Sequence, residues 1–503
     1  MDRLLYGLAA NPNLPPHLLD RLIAGAGPEV LAALADRPDL SPAQASALAA
    51  RDQGAALRLA YAGLLAPDGV DPATQPSTAL ALLDSGTGLP SWASRLAVEP
   101  DVEHRERLAA CPGLPADVVA RLAVDPEVRV VTELALRTTA EAAARLARHP
   151  HAEVRRAVAG NQATPSAVLA ALLSGDGLPP ARWCRVCAQE PVPFEHDPHC
   201  PRAACELLPG DACDGDHRST VHAIQLAAVG NPATPPAAMG RFATHPSALL
   251  RHELAGRVDL LAETYRQLAD DAIPWVRGAL AANPAIDEAL IRRLAEDDGH
   301  DVRRRLAHHP RLPLDLLARL ADAVRIGPVL LPRIADATAD EVNQLASSGS
   351  PNLRMLVAQR RDLPDPIRDA LADDPDVKVV GSIAAHPGLS GTRLHAMVDR
   401  HGDRVAAAAA ANPEAPPDLL TRLARRDPPA RKALRAIAEH PRATGPALLV
   451  CLTDRRARLP AARHPALPPG VLTALLTGDD EELAEAAAAN PALPVAAMAG
   501  LVP

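Results

Sequence analysis

A chain of 503 residues, 48% hydrophobic and 22% charged, can bury a large core, either as several domains or as one continuous array. Its net charge of −9 and its 2% of aromatic residues argue against a protein built to neutralise phosphates or to stack single-stranded bases. No run approaches the roughly 18 uninterrupted apolar residues of a membrane helix, and the start, "MDRLLYGLAANPNLPPHLLDRL", has no apolar core before a small-residue cleavage site, so a cytoplasmic protein away from the membrane is expected.

The 52 prolines act as punctuation. Basic residues are almost all Arg, with Lys only at Lys378 and Lys432, and with the Ala and Pro load this reads as the coding bias of a GC-rich bacterial genome. From the N-terminus a phrase ending in Asn-Pro or His-Pro recurs, with early copies at Pro12, Pro38, Pro112, Gln162 and Pro232. It then runs through Pro284, Pro310, Pro387, Pro413, Pro441, Pro465 and Pro491 at a near-constant step, with a triple step between Pro310 and Pro387. A degenerate copy puts Arg361 in the place of the proline. This is a tandem repeat of about 26 residues in about 18 units.

Each unit predicts two helical pieces. In "LPLDLLARLADA", Leu316, Leu317, Leu320 and Ala321 form one apolar stripe, and Pro at the first helical position, after a capping hydroxyl in Ser41-Pro42, Thr164-Pro165 and Thr234-Pro235, marks the start. The other piece, such as "VRRRLAHH", spans about two turns and is stopped by the next proline. Neither piece can fold alone, so stacked units must bury the Leu and Ala faces. The fold class is therefore all-α, a helical repeat solenoid.

The phrase "VRRRLAHHPRLPLDLLARLADA", with its period, resembles the leucine-rich repeat variant family. The resemblance spans nearly all of the chain outside one cysteine-rich insert. It implies units of one α-helix and one short 3₁₀ helix, without strands, stacked as a right-handed superhelix. HEAT and armadillo arrays have longer units that fit the period badly.

Organisation follows as a repeat array over 1–175, an insert over 176–218 and a second array over 219–503. From Gln162 to Pro232 the chain runs for nearly three periods where one repeat should stand. The insert carries Cys184-x2-Cys187 and Cys200-x4-Cys205, four thiolates able to close a tetrahedral Zn²⁺ site, with Cys213, His196 and His217 as alternate ligands. A segment so poor in large apolar residues has no core of its own, and metal ligation would order it. Structural zinc is the favoured reading; a 4Fe-4S cluster, which the resemblance also brings in, and metal-free thiols are the alternatives. A catalytic zinc lacks its carboxylate, because "EHDPHCPRAAC" does not match the nucleobase-deaminase signature.

Two sets of polar positions repeat. Asn11, Asn161, Asn231, Asn283, His309, His386, Asn412, His440, His464 and Asn490 precede the proline or its substitute, and are expected to bond free backbone groups between helices rather than to ligate metal. Basic residues at Arg129, Arg155, Arg277, Arg303, Arg354 and Lys378 would align in stacked units. They form either a surface for an acidic partner, with Arg155, Arg277 and Arg303 as the binding candidates, or pairs with the acids just before them. Cys111 and Cys451 are expected to be buried thiols.

No P-loop, nucleophile elbow, dinucleotide fingerprint or metalloprotease helix is present. The expected function is a non-enzymatic scaffold for a protein partner that bridges the insert and the basic stripe beside it. The alternatives are a nucleic-acid-binding solenoid using that stripe, an iron–sulfur repeat protein and an enzyme at the metal site.

Overall fold

The structure, a computed structural model, describes residues 2–184, 218–428 and 430–502. Among the described residues the regular structure is 35 α-helices and two 3₁₀ turns, Pro67–Gly69 and Gly240–Thr244, with a lone β-bridge between His151 and Trp183. The two pieces of a repeat are thus both α-helical, which corrects the 3₁₀ piece that the family resemblance implied. Eight apolar-striped residues suffice for two turns of α-helix, and packing holds them where propensity alone would not.

One repeat shows how the sequence does this. Pro274 opens the helix Pro274–Ala281 at its first position, Val276, Leu280 and Ala281 turn inward, and Pro284 forbids continuation. Asp287 then caps Glu288–Ala295 by accepting from the Leu290 amide at 2.9 Å, and Leu290, Ile291, Leu294 and Ala295 are buried. Helix Pro274–Ala281 packs on Ala248–Ala255 before it and His300–Leu306 after it, while Glu288–Ala295 packs on Ala262–Ala269. First helices therefore stack on first helices and second on second, giving two layers with the core between. Truncating a fully buried knob such as Leu280→Ala costs about 3 kcal/mol by cavity formation.

The capping expectation holds for one of three hydroxyls. Ser41 forms a capping box with Gln44, but Thr164 and Thr234 donate backwards to the Val158 and Ala228 carbonyls at 2.7 and 2.5 Å. Their following prolines are themselves the cap residues. These hydroxyls fasten the second helix to the end of the first.

The chain forms two compact units. Unit 2 is Ala66–Leu320, and the insert leaves its stack unbroken. Helix Ser166–Ser174 ends at Gly175, whose φ of 78° suits glycine, and helix Arg218–Gly230 packs directly on Ala152–Gly160. Unit 1 joins Met1–Leu65 to Ala321–Pro503. Helix Asp2–Ala9 lies on Glu481–Ala488 as the next first-layer helix would, so closely that a Cβ on Gly7 would come within 2.2 Å of the Glu485 carbonyl oxygen. Arg21 donates to the Val502 carbonyl at 3.1 Å. An array end normally needs a polar cap; here the first repeat covers the face of the last.

Candidate functional site

The Asn and His positions form a ladder between repeats. Asn283 Nδ2 donates to the Ala255 and Arg257 carbonyls at 2.7 and 2.6 Å, and its Oδ1 accepts from the Ala285 amide at 2.9 Å. Asn161, Asn231, Asn412 and Asn490 make the same three contacts. The open carbonyls at the end of one first-layer helix are thus satisfied by the next repeat. Asn11 continues the ladder onto Ala488 and Asn490, at 2.9 and 2.7 Å.

Histidine fills the same place with a ring. His309 Nε2 reaches the Asn283 carbonyl at 2.9 Å and Nδ1 faces the Arg311 amide at 3.1 Å, which fixes the neutral Nε2–H form. His440 and His464 repeat this. Burial pushes His309 and His464 below the ordinary imidazole range, the more so because a second ring proton would meet an amide donor. His386 departs from the pattern, since its Nδ1 lies against the Pro387 carbonyl and its buried Nε2 has no partner among the described residues.

A third solution was not read from the sequence. Arg37, Arg257 and Arg360 occupy ladder positions and each reaches carbonyls of the preceding repeat, as Arg37 does to Ala9 and Asn11 at 2.8 Å. Each also grips a carboxylate two residues on, Asp39, Asp259 or Asp362. The Arg37 and Arg360 guanidiniums hold Asp39 and Asp362 below the usual carboxylate range. The signal Arg-x-Asp was available in the chain, but it has none of the chemical likeness that links Asn to His.

The basic residues divide by register. Those six residues before the ladder point into the joint between helices. Arg105, Arg251, Arg277 and Arg354 each grip, through two nitrogens, an aspartate near the end of the same repeat: Asp125, Asp271, Asp297 and Asp374. Arg277 spans 2.6 and 3.0 Å to Asp297, and its other nitrogen holds the Asp271 carbonyl at 2.7 Å, so successive struts are chained. Burial acts to raise the Asp125, Asp297 and Asp374 carboxyls, but the guanidinium and the amide two residues on outweigh it and hold them low.

The three arginines of the expected basic stripe lie in this inward register. Arg277 is occupied in a strut. Arg155 is buried, with Nε on the His149 carbonyl and one Nη on the Pro179 carbonyl, both at 2.7 Å, and burial lowers its pKa. Residues 178–184 occupy the flank of that helix, with the Trp183 carbonyl accepting from the Ala152 amide at 2.8 Å. Arg303 is half-buried in the same register, its buried Nε has no hydrogen-bond partner among the described residues, and the corresponding position in the sequence is Ala323 rather than an aspartate. A partner cannot use Arg155 or Arg277 without opening the joints they close. Arg277 and Arg354 pair forward along their own repeats, with Asp297 and Asp374, rather than with the acid just before them.

Residues eight before the ladder face outward instead. They include Arg129, Lys378, Arg404 and Lys432, all exposed. Arg129 lies 3.3 Å from Glu106, whereas Lys378, Arg404 and Lys432 make no ion pair among the described residues.

Of the candidate metal ligands, Cys184 is described and is buried; Cys187, His196, Cys200, Cys205, Cys213 and His217 lie outside the described residues. Among the described residues no group of three or more His, Cys, Asp or Glu converges. Cys111 and Cys451 are buried, and burial pushes both thiols up to about 12, so neither is a nucleophile at neutral pH. No helix among the described residues is long and apolar enough to cross a membrane.

No protein-family model matches the chain, and no curated protein matches it in sequence. Among solved structures, a leucine-rich repeat variant with a novel repetitive structural motif aligns at 22% identity, covering 52% of this chain and 91% of its own, with a TM-score of 0.28. The Pds5–Scc1 complex, described for its implications for cohesin function, aligns at 12% identity over 94% of this chain and 55% of its own, with a TM-score of 0.13. Superpositions this loose carry no argument, and the architecture rests on the repeats described above.

Proposed function

We propose that the chain is a non-enzymatic repeat scaffold that holds a partner protein, and that its cysteine-rich insert is ordered by one structural Zn²⁺. The observation that carries the scaffold reading is the division of labour within each repeat. Side chains at the ladder and strut positions are consumed in fixing one repeat to the next, while the outward register changes from unit to unit, from Glu103 and Trp275 to Lys378 and Arg404. A stack held by buried polar joints displays varied side chains at a fixed spacing, which suits recognition of an extended macromolecular surface.

Cross-linking in the source cell followed by mass spectrometry tests this. Links from several consecutive repeats to one protein support the scaffold; turnover of a small molecule by the purified chain, with no macromolecule retained, would replace it with an enzyme. For the insert, elemental analysis should return about one zinc per chain, lost in the Cys187→Ser, Cys200→Ser variant while the helical signal of the arrays remains. A brown protein containing iron would put a cluster in zinc's place.

A further inference from the structure

Within unit 1 the period fails between Val324 and Ala335 in a way that opens the surface. From Val324 to Leu331 the chain has no helix, and the helix preceding Ala339–Ala346 is cut to one turn, Pro332–Ala335. Gly327, with φ of 40°, lets this stretch turn in the left-handed region that other residues avoid. It stands beside helices Pro351–Val357 and Val377–Ile383 and leaves a cleft of about 1030 Å³.

The charge of the cleft is opposite to that of the chain. Arg325, Arg361, Lys378 and Arg404 line it, against one carboxylate, Asp322, in a protein whose net charge is −9. Asp322 is already engaged by the Ser350 hydroxyl at 2.7 Å and the Asn352 amide at 3.1 Å. Arg361 donates to the Ala385 carbonyl, and among the described residues Arg325, Lys378 and Arg404 have no carboxylate or other side-chain partner. Like charges gathered without counter-charges raise the local potential and destabilise the free protein, whereas Arg277 and Arg354 are each neutralised by an aspartate.

Lys378, Arg404 and Lys432 stand in the same outward register of three successive repeats. Two of these cations, Lys378 and Arg404, line the cleft one repeat apart, and Val324, Ile326 and Met355 form part of the same lining. No aromatic residue lines the cleft, so it offers nothing for a nucleobase to stack on. A lining with cations one repeat apart and apolar side chains beside them matches an extended polypeptide that carries both carboxylates and apolar side chains.

We propose that the cleft over residues 321–404 docks an extended acidic segment of the partner protein, Lys378 and Arg404 pairing with its carboxylates. This rests on the scaffold reading and names the site and the chemistry of the partner. The test is fluorescence anisotropy of the full chain with a labelled peptide of alternating Glu and Leu, against its Gln–Leu counterpart and a labelled single-stranded oligonucleotide. The expected result is saturable binding of the Glu peptide that weakens with salt, falls roughly tenfold or more in Lys378→Glu, Arg404→Glu, and is unchanged in Arg463→Glu. Unaltered circular dichroism of the variants would show that these exposed changes leave the fold intact. Equal binding by all variants, or preference for the oligonucleotide, overturns the proposal. If cross-linking finds a partner seated on other repeats, the cleft is wrong and the scaffold stands; if it finds no macromolecular partner, the scaffold reading itself fails.

Discussion

The run from Arg251 to His309 in unit 2 and the run from Val324 to Arg404 in unit 1 use arginine in opposite ways. In the first, Arg251 and Arg277 sit six residues before a ladder residue and close on Asp271 and Asp297, where they are 12% and 17% exposed. In the second, Arg354 does the same with Asp374, but Arg325, Lys378 and Arg404 stand outside that register and face open cleft. Two residues of helix, about 200° of rotation, separate a structural cation from one free to bind. Residue type alone therefore says little about the role of a basic side chain in this chain; its distance from the ladder says a great deal.

The comparison breaks most severely at the ladder itself. Asn283→Leu removes three hydrogen bonds and leaves the Ala255 carbonyl buried without its donor, while the Arg257 carbonyl keeps only the Tyr265 hydroxyl; this should cost about 3 kcal/mol and lower the melting temperature of unit 2. A change at Lys378, by contrast, should leave melting unmoved. An equal loss for both would mean that the ladder does not hold the repeats.

Cutting one strut comes next. Asp297→Ala strands Arg277 in a mostly dry joint, and the expected loss is about 2 kcal/mol, below that of a fully buried pair because Arg277 keeps some water. Arg277→Met with Asp297→Leu should recover much of it, measured by thermal melts of the single and double variants. No recovery would mean that the pair is needed for its direction rather than for its neutralised charge.

Acid should separate the histidine rungs from the asparagine ones. His309 and His464 have folded pKa values lowered by burial, so they are neutral in the fold while the unfolded chain takes up protons near pH 6.5. Their contribution is complete above about pH 6.5 and is lost as pH falls through the lower folded value. Melting temperature should therefore drop on mild acidification, and less so in His309→Asn. The struts behave alike at lower pH: with Asp297 and Asp374 lowered, their contribution is present above about pH 4 and lost below it. A profile that is flat in the parent and in His309→Asn would show that the ring is protonated without harm.

The smallest effect is an exchange of one rung for another. Arg257→Asn with Asp259→Ala converts an Arg-x-Asp rung into the Asn form, and because Asn can reach the same Val229 and Asn231 carbonyls the change should lie within about 1 kcal/mol. Arg257→Asn alone should be worse, since it leaves Asp259 without its partner. A large loss in the double variant would show that the two rungs are not equivalent.

The sequence by itself determined the period, the two helices per unit, the Leu and Ala faces and the backbone-bonding role of Asn and His, because each depends on spacing within one repeat and on local chemistry. It also located the departure at Gln162–Pro232, though not that helix Arg218–Gly230 restacks on Ala152–Gly160 across it. Tertiary structure decided what depends on contacts between repeats. Arg155 and Arg277 are spent on the joints, since a two-residue difference in register is invisible until the groups that close each joint come within reach. Arg-x-Asp stands in for Asn because a guanidinium spans to the same carbonyls. The meeting of Asn11 with Asn490 across 479 positions leaves no trace in spacing, since the Asn rung recurs along the chain and only the path of the stack selects which neighbour it bonds. The cleft arises likewise from a missing length of helix, whose consequence appears only when the neighbouring helices are in place.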